Sequence, residues 1–172
     1  AGHPTLGTAH ILRETGKVLS GDYTIKLALK AGVVSVREMN KENHLFMDQL
    51  LPVLQPPLDC SEEISEALGI STDGIYSSSR PVQIVSTGLP VLVVPITSLQ
   101  VLEKISVDSH RLSRLLTSLG TDLLYAFTSQ TFDPDATIHS RAFAPKLGIP
   151  EDPATGSAAG AAGAYLSMNK FI

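Results

Sequence analysis

A carboxylate, a hydroxyl and a glycine stand together at what reads as a helix start, in Glu151-Asp152-Pro153-Ala154-Thr155-Gly156-Ser157-Ala158. No β-branched residue interrupts Ala158 to Ala164, and Tyr165-Leu166 close the run. Pro153 is therefore expected at an early helical position, with Asp152 as the N-cap or the residue before it. The backbone N–H groups of Thr155 to Ala158 would then point outward at the positive end of the helix dipole and form a site for an anion, most economically a substrate carboxylate. Asp152 would stand beside it as acid or base. An Asp-Pro before alanines is also an ordinary cap, and this stretch alone leaves both readings open.

The amino terminus has the same grammar. In Gly2-His3-Pro4-Thr5-Leu6-Gly7-Thr8-Ala9, His3 falls on Asp152 and, without gaps, Pro4 on Pro153, Gly7 on Gly156, Thr8 on Ser157 and Ala9 on Ala158. Two helix starts, each offering one polar side chain and a short Gly-hydroxyl-Ala turn, point to a duplicated unit whose halves face each other across a cleft.

These two stretches, with Arg141-Ala142-Phe143-Ala144-Pro145 and the segment Ser86-Thr87-Gly88-Leu89-Pro90-Val91-Leu92-Val93-Val94-Pro95, resemble the PhzF-like isomerase family of phenazine biosynthesis, which shares the diaminopimelate epimerase fold. The resemblance runs from the first residue nearly to the last. It implies an α+β architecture of two pseudo-symmetric halves, each a sheet around a central helix, Pro4 to Thr15 in one and Pro153 to Met168 in the other. Residues 1–52 would be the second part of the N-terminal half, and 53–172 the C-terminal half without its last strands, so the chain reads as truncated at both ends.

The resemblance also implies the site. His3 and Asp152 match the family's active-site histidine and aspartate, Ser157 a substrate-contacting serine, and Gly2, Gly156 and Ser157, with Thr155, the turns whose amides would hold a carboxylate. Such enzymes isomerise a hydroxylated dihydroaromatic amino acid by moving a proton, with no metal or organic cofactor. Shifting a proton near a carboxylate needs a positioned acid/base and a charge-stabilising pocket, and little else. In the family the principal acid/base glutamate lies upstream of the first motif. Glu14, about three turns along the first helix from His3, does not replace it, so the isolated chain is expected to be inactive or nearly so. The implied partners are a small carboxylated metabolite, dihydro-hydroxyanthranilate being one member's substrate, and a second copy of the chain. A catalytically idle relative that binds a small acid or a partner protein stands as the alternative, and a purely structural, self-associating piece as a third.

Composition excludes other classes. With 172 residues and 43% hydrophobic content the chain can bury a real core, in one larger domain or two small ones. A net charge of −4, no basic run and 5% aromatics give no support to nucleic-acid binding. One cysteine excludes an internal disulfide framework, and Cys60, far in sequence from both motifs, reads as a structural thiol. Without a signal peptide or a long apolar run, a soluble cytoplasmic protein is the default. Thr155-Gly156-Ser157-Ala158 lacks the lysine of a phosphate loop, and Ser157 lacks the Gly-x-Ser-x-Gly elbow of a hydrolase. No histidine or cysteine spacing suits a metal, and His3 and His10 stand on the order of 10 Å apart along a helix. Neither motif carries a cysteine, which disfavours two-thiol racemisation.

Between the motifs, Tyr23–Leu29 and Val33–Glu38 read as a hairpin turning at Ala31-Gly32, and His44–Leu50 as a third strand. Pro52, Pro56 and Pro57 break regular structure and mark the joint between halves. Asp59-Cys60-Ser61-Glu62 and Thr97-Ser98-Leu99-Gln100 have capping-box form; the helices they open should end at Gly69 and near Ile105. Val82–Ser86, Val91–Ile96, Leu123–Thr128 and Thr137–Ala144 read as strands, and Asp108–Leu119 as a helix with leucines on one face and His110 as a solvated residue of its first turn. Period two puts His139 and Arg141 on the same side of their strand. Arg141 could orient a carboxylate; pairing with a backbone or acidic group near the motif is favoured.

Overall fold

Past residue 80 the apolar runs alternate with period two, and the structure sends the two sets of side chains to opposite faces of one sheet. The computed structural model describes residues 2–18, 24–29, 32–39, 44–76 and 80–171. They fall in two compact units, Ala1–Leu51 and Pro52–Ile172.

In the second unit, β4 (Val53–Leu54), β5 (Gln83–Ser86), β6 (Pro90–Pro95), β7 (Leu124–Thr128), β8 (His139–Ala144) and β9 (Ile149–Asp152) form a six-stranded sheet in that order. Neighbours run antiparallel except β6 and β7, which are parallel with Leu92 opposite Leu124. A parallel step demands a crossover, and α3 (Leu99–Glu103) and α4 (Ser109–Ser118) supply it. Asp108 caps α4 by accepting from the amides of His110 and Arg111 at 3.0 and 2.9 Å.

On one face Ile84, Leu92, Val94, Leu124, Ala126 and Phe143 pack against Ile64 and Leu68 of α2 (Ser61–Leu68) and Leu112 and Leu116 of α4. On the other, Val85, Val91, Val93, Tyr125, Phe127, Ala142 and Ala144 meet Ala158, Ala161, Ala162, Tyr165 and Leu166 of α5 (Gly156–Met168). With both faces covered, the central strands are continuously apolar, as Val91–Ile96 is. Tyr165 is fully buried and donates its hydroxyl to the Pro81 carbonyl at 2.7 Å, which satisfies the one polar atom that helix brings into this core.

In the first unit, α1 (Gly2–Glu14) lies on an antiparallel sheet of β1 (Thr24–Leu29), β2 (Gly32–Met39) and β3 (His44–Met47). Leu6, Ala9 and Leu12 face Ile25, Leu27, Val36, Leu45 and Met47, and Arg13 pairs with Glu38 at the margin of this small core.

Several element ends differ from the sequence reading. The helix expected from Pro153 begins at Gly156, and Asp152 is the last residue of β9, an unanticipated strand. Proline disfavours helical geometry in the residue before it, so Asp152 stays extended and pairs with Ala142. The first helix begins at Gly2 and ends at Glu14, so His3 lies inside its first turn while Asp152 lies ahead of its own helix. The two motifs that match residue for residue are thus not alike in local geometry.

Neither capping box forms in the expected register: Cys60 holds the N-cap of α2 without a side-chain bond, and Ser98, not Thr97, caps α3 by accepting from the Val101 amide at 3.2 Å. α3 stops at Glu103 and β3 at Met47. The proline-rich joint still holds two strand residues, Val53 and Leu54, paired with Ser86 and Val85 at the sheet edge, where missing proline donors matter least. The expected turn residue Ala31, Tyr23 of the first strand and residues 77–79 of the polar loop lie outside the described residues.

Candidate active site

Asp152 is placed by the pleat of β9. Its cross-strand partner Ala142 packs in the core under α5, and directly opposed residues share a face, so the half-buried Asp152 carboxyl is on the α5 side of the sheet. There it accepts a hydrogen bond from the Thr155 hydroxyl, Oγ1 to Oδ2, at 2.5 Å. Thr155 is the N-cap of α5, but it spends its hydroxyl backward on Asp152 and caps no amide of the helix.

The donors of the first turn are fewer than expected. The Ala158 and Ala159 amides both donate to the Thr155 carbonyl, at 3.0 and 2.9 Å, so Ala158 does not point an N–H outward. Gly156 has a partner as well. Ser157, half-buried at the second helical position, has its amide beyond reach of any carbonyl of its own helix. Asp152, Thr155, Gly156 and Ser157 therefore sit within six residues of one strand-turn-helix junction, with an acid/base group at one side and the positive end of a thirteen-residue helix at the other.

His3 and Gly2 belong to the first unit. His3 is exposed in the first turn of α1, and Gly2 is the first helical residue. His10 is exposed on the same helix and His110 on α4. Cys60 is buried, and burial with the neighbouring Glu63 and Asp59 charges pushes its thiol up to about 11, which fits an inert structural thiol. Among the described residues no group of three or more His, Cys, Asp or Glu could hold a metal ion. No helix among them is long and apolar enough to cross a membrane.

Arg141 takes the structural part of its two readings. Its Nε and Nη2 donate to the two carboxylate oxygens of Glu151 at 2.7 and 2.8 Å, and Nη1 faces the carbonyls of Leu102, Ile105 and Glu103 at 3.0, 3.0 and 3.4 Å. This fork holds the Glu151 carboxyl below its ordinary range, and the same bond pushes the Arg141 guanidinium higher still. Sequence reasoning missed β9 and with it Glu151. The available signal was the prolines at 150 and 153, each of which favours extended backbone in the residue before it.

A family model described as "Phenazine biosynthesis-like protein" (PhzC-PhzF) matches residues 1–172. The chain belongs to the phenazine biosynthesis-like family. Among curated members of similar sequence, the uncharacterized isomerase YfhB of Bacillus subtilis is 33% identical over 180 residues, covering 99% of this chain and 61% of that protein. The uncharacterized isomerase YddE of Escherichia coli K12 is 30% identical over 176 residues, covering 99% and 57%. Among solved structures, a PhzF-family phenazine biosynthesis protein of Bacillus anthracis superposes with a TM-score of 0.82 at 28% identity, covering 97% of this chain and 56% of that one. The predicted epimerase PA4716 of Pseudomonas aeruginosa gives 0.77 at 30%, covering 100% and 58%. This phenazine biosynthesis-like chain thus has the epimerase-like α+β fold of its family. It spans between 56 and 61% of the length of these four relatives.

Proposed function

We propose that this chain forms part of a cofactor-independent isomerase that moves a proton on a small carboxylated substrate by general acid/base catalysis. The observation that carries the reading is the junction just described, a carboxylate held by Thr155 four residues before a helix N-terminus that opens on Gly156-Ser157. Asp152 takes or gives the proton. The α5 dipole, the Ser157 amide and the Gly156-Ser157 turn stabilise the substrate carboxylate and the charge that grows on it as the carbon–hydrogen bond breaks. His3 is a further acid/base group, and Gly2 a backbone contact for a substrate carboxylate. The proposed assembly is a homodimer. Relatives named isomerases and an epimerase support the reaction class.

The test is solvent-deuterium incorporation into a panel of small carboxylates that includes dihydro-hydroxyanthranilate, followed by proton NMR on the protein that carries this chain. Incorporation into at least one acid is expected, with a loss of on the order of 100-fold or more in Asp152→Asn and in His3→Ala. Saturable binding of the acids without exchange would replace this reading by that of an idle small-acid-binding protein. Full exchange in Asp152→Asn would overturn the assignment of that residue.

A further inference from the structure

We propose that Arg141 and Glu151 act together as a positioning clamp for Asp152: by pinning one residue of β9 to one face of the sheet, they present the next residue on the other. The inference rests on the reading of Asp152 as an acid/base group and extends it to the residues that aim the carboxylate.

Little else fixes this strand. β9 is the sheet edge, Ile149, Pro150 and Glu151 are exposed, and no side chain of the strand is buried. Its ladder with β8 pairs Ala142 with Asp152 and Ala144 with Ile149, and the register shifts in between. Pro150 has no amide hydrogen to give, nor has Pro153 just beyond. A strand with neither an apolar anchor nor a continuous ladder opens readily.

The clamp supplies the missing anchor. Arg141 presents a rigid fork of five N–H donors, and Glu151 takes the Nε and Nη2 prongs in bidentate fashion. The Nη1 prong reaches the carbonyls of Leu102, Glu103 and Ile105, where α3 ends and its dipole is negative. The guanidinium also stands 5.1 Å from the centre of the Phe143 ring on that face of the sheet. Arg141 thus ties β9 to the end of α3, on the side away from α5. Side chains alternate along a strand, so holding Glu151 down on the α3 side directs Asp152 to the α5 side, where Thr155 meets it. With its donors so engaged, Arg141 is not available to bind a substrate carboxylate; it acts through Asp152.

The experiment compares the wild-type protein with Glu151→Gln, which keeps the shape and loses the charge, and Arg141→Lys, which keeps the charge and loses the fork. Two readouts need no substrate: amide hydrogen exchange of Ile149, Glu151 and Asp152, and the carbon-13 resonance of the Asp152 carboxyl. Exchange is expected to rise at least tenfold in both variants, and the Asp152 resonance to move in both. A third readout is turnover of the acid that shows deuterium incorporation. There kcat is expected to fall about tenfold with KM within twofold, and the double variant Arg141→Lys/Glu151→Gln to lose no more than the worse single one. An Asp152 resonance and exchange rates unchanged in Glu151→Gln would overturn the clamp while leaving the functional reading in place. Turnover that survives Asp152→Asn would instead remove the assignment of Asp152 as the acid/base group, and the two substrate-free readouts would still decide whether the pair fixes the strand.

Discussion

The Thr155 hydroxyl donates to Asp152 Oδ2 at 2.5 Å, closing a ring of four residues between the last residue of a strand and the N-cap of the helix that follows. A hydroxyl that could have capped the helix is used instead to hold the carboxyl. Replacing Thr155 by Val keeps the β-branched shape and removes the donor. The expected result is a loss of about 1–3 kcal/mol in stability, from a charge-assisted bond of this kind, and a kcat at least tenfold lower in the deuterium-exchange assay. Urea melts and exchange rates on the same variant check both.

Two glycines should respond in opposite directions to the same added methyl group. Gly69 ends α2 at φ +66, and a Cβ there would come within 2.7 Å of the Ser106 carbonyl oxygen, so Gly69→Ala is expected to destabilise by more than about 1 kcal/mol. Gly163 lies inside α5, where an added methyl carbon would have nothing within 4 Å, so Gly163→Ala should stabilise by about 0.5–1 kcal/mol. Denaturant midpoints of the pair give the comparison directly.

Tyr165→Phe tests the bond to Pro81. The substitution removes only a hydroxyl from a fully buried ring and leaves the Pro81 carbonyl without its partner, so a loss of about 1–3 kcal/mol is expected. Burial raises the phenol well above its ordinary range, so the ultraviolet tyrosinate signal of this ring should appear only as the protein unfolds in alkali.

Cys60 makes stability fall at alkaline pH. Its folded thiol titrates at about 11, above the ordinary value of 9.0. Between those values the unfolded chain releases a proton that the folded one keeps, so stability is lost as pH rises from about 9 and levels off beyond about 11. Cys60→Ala should flatten this part of the profile. At pH 8 the native thiol should react with an aromatic disulfide about 100-fold more slowly than in denaturant, since the thiolate fraction is lower by two decades.

The sequence carried most of the larger unit because its signals were local. Val91–Ile96 could only be a strand covered on both faces, and Leu112, Leu115, Leu116 and Leu119 could only be one side of a helix. The ends were harder, since a capping pattern names several possible registers and packing selects one: Ser98 took the cap that Thr97 could have held. β9 was hidden for a different reason. An edge strand with two flanking or internal prolines and no buried side chain has no periodicity to read, and its one side-chain tie to the sheet's α3 side is to an arginine ten residues away. The motif around Asp152 was visible as a set of residues, but its geometry was not, because proline's preference for extended backbone before it and the pairing with Ala142 outweighed the helix-start reading.

Ala158, Ala161 and Ala162 separate α5 from the strands beneath it by a layer of single methyl groups. Such thin padding leaves no slack: a longer side chain at any of the three would jack the helix away from its seat and carry Ser157 with it, away from a carboxylate moored to the strand. Mutational tolerance in this region should therefore be graded by bulk more than by polarity, with the spacing of Ser157 from Asp152 failing before the fold does.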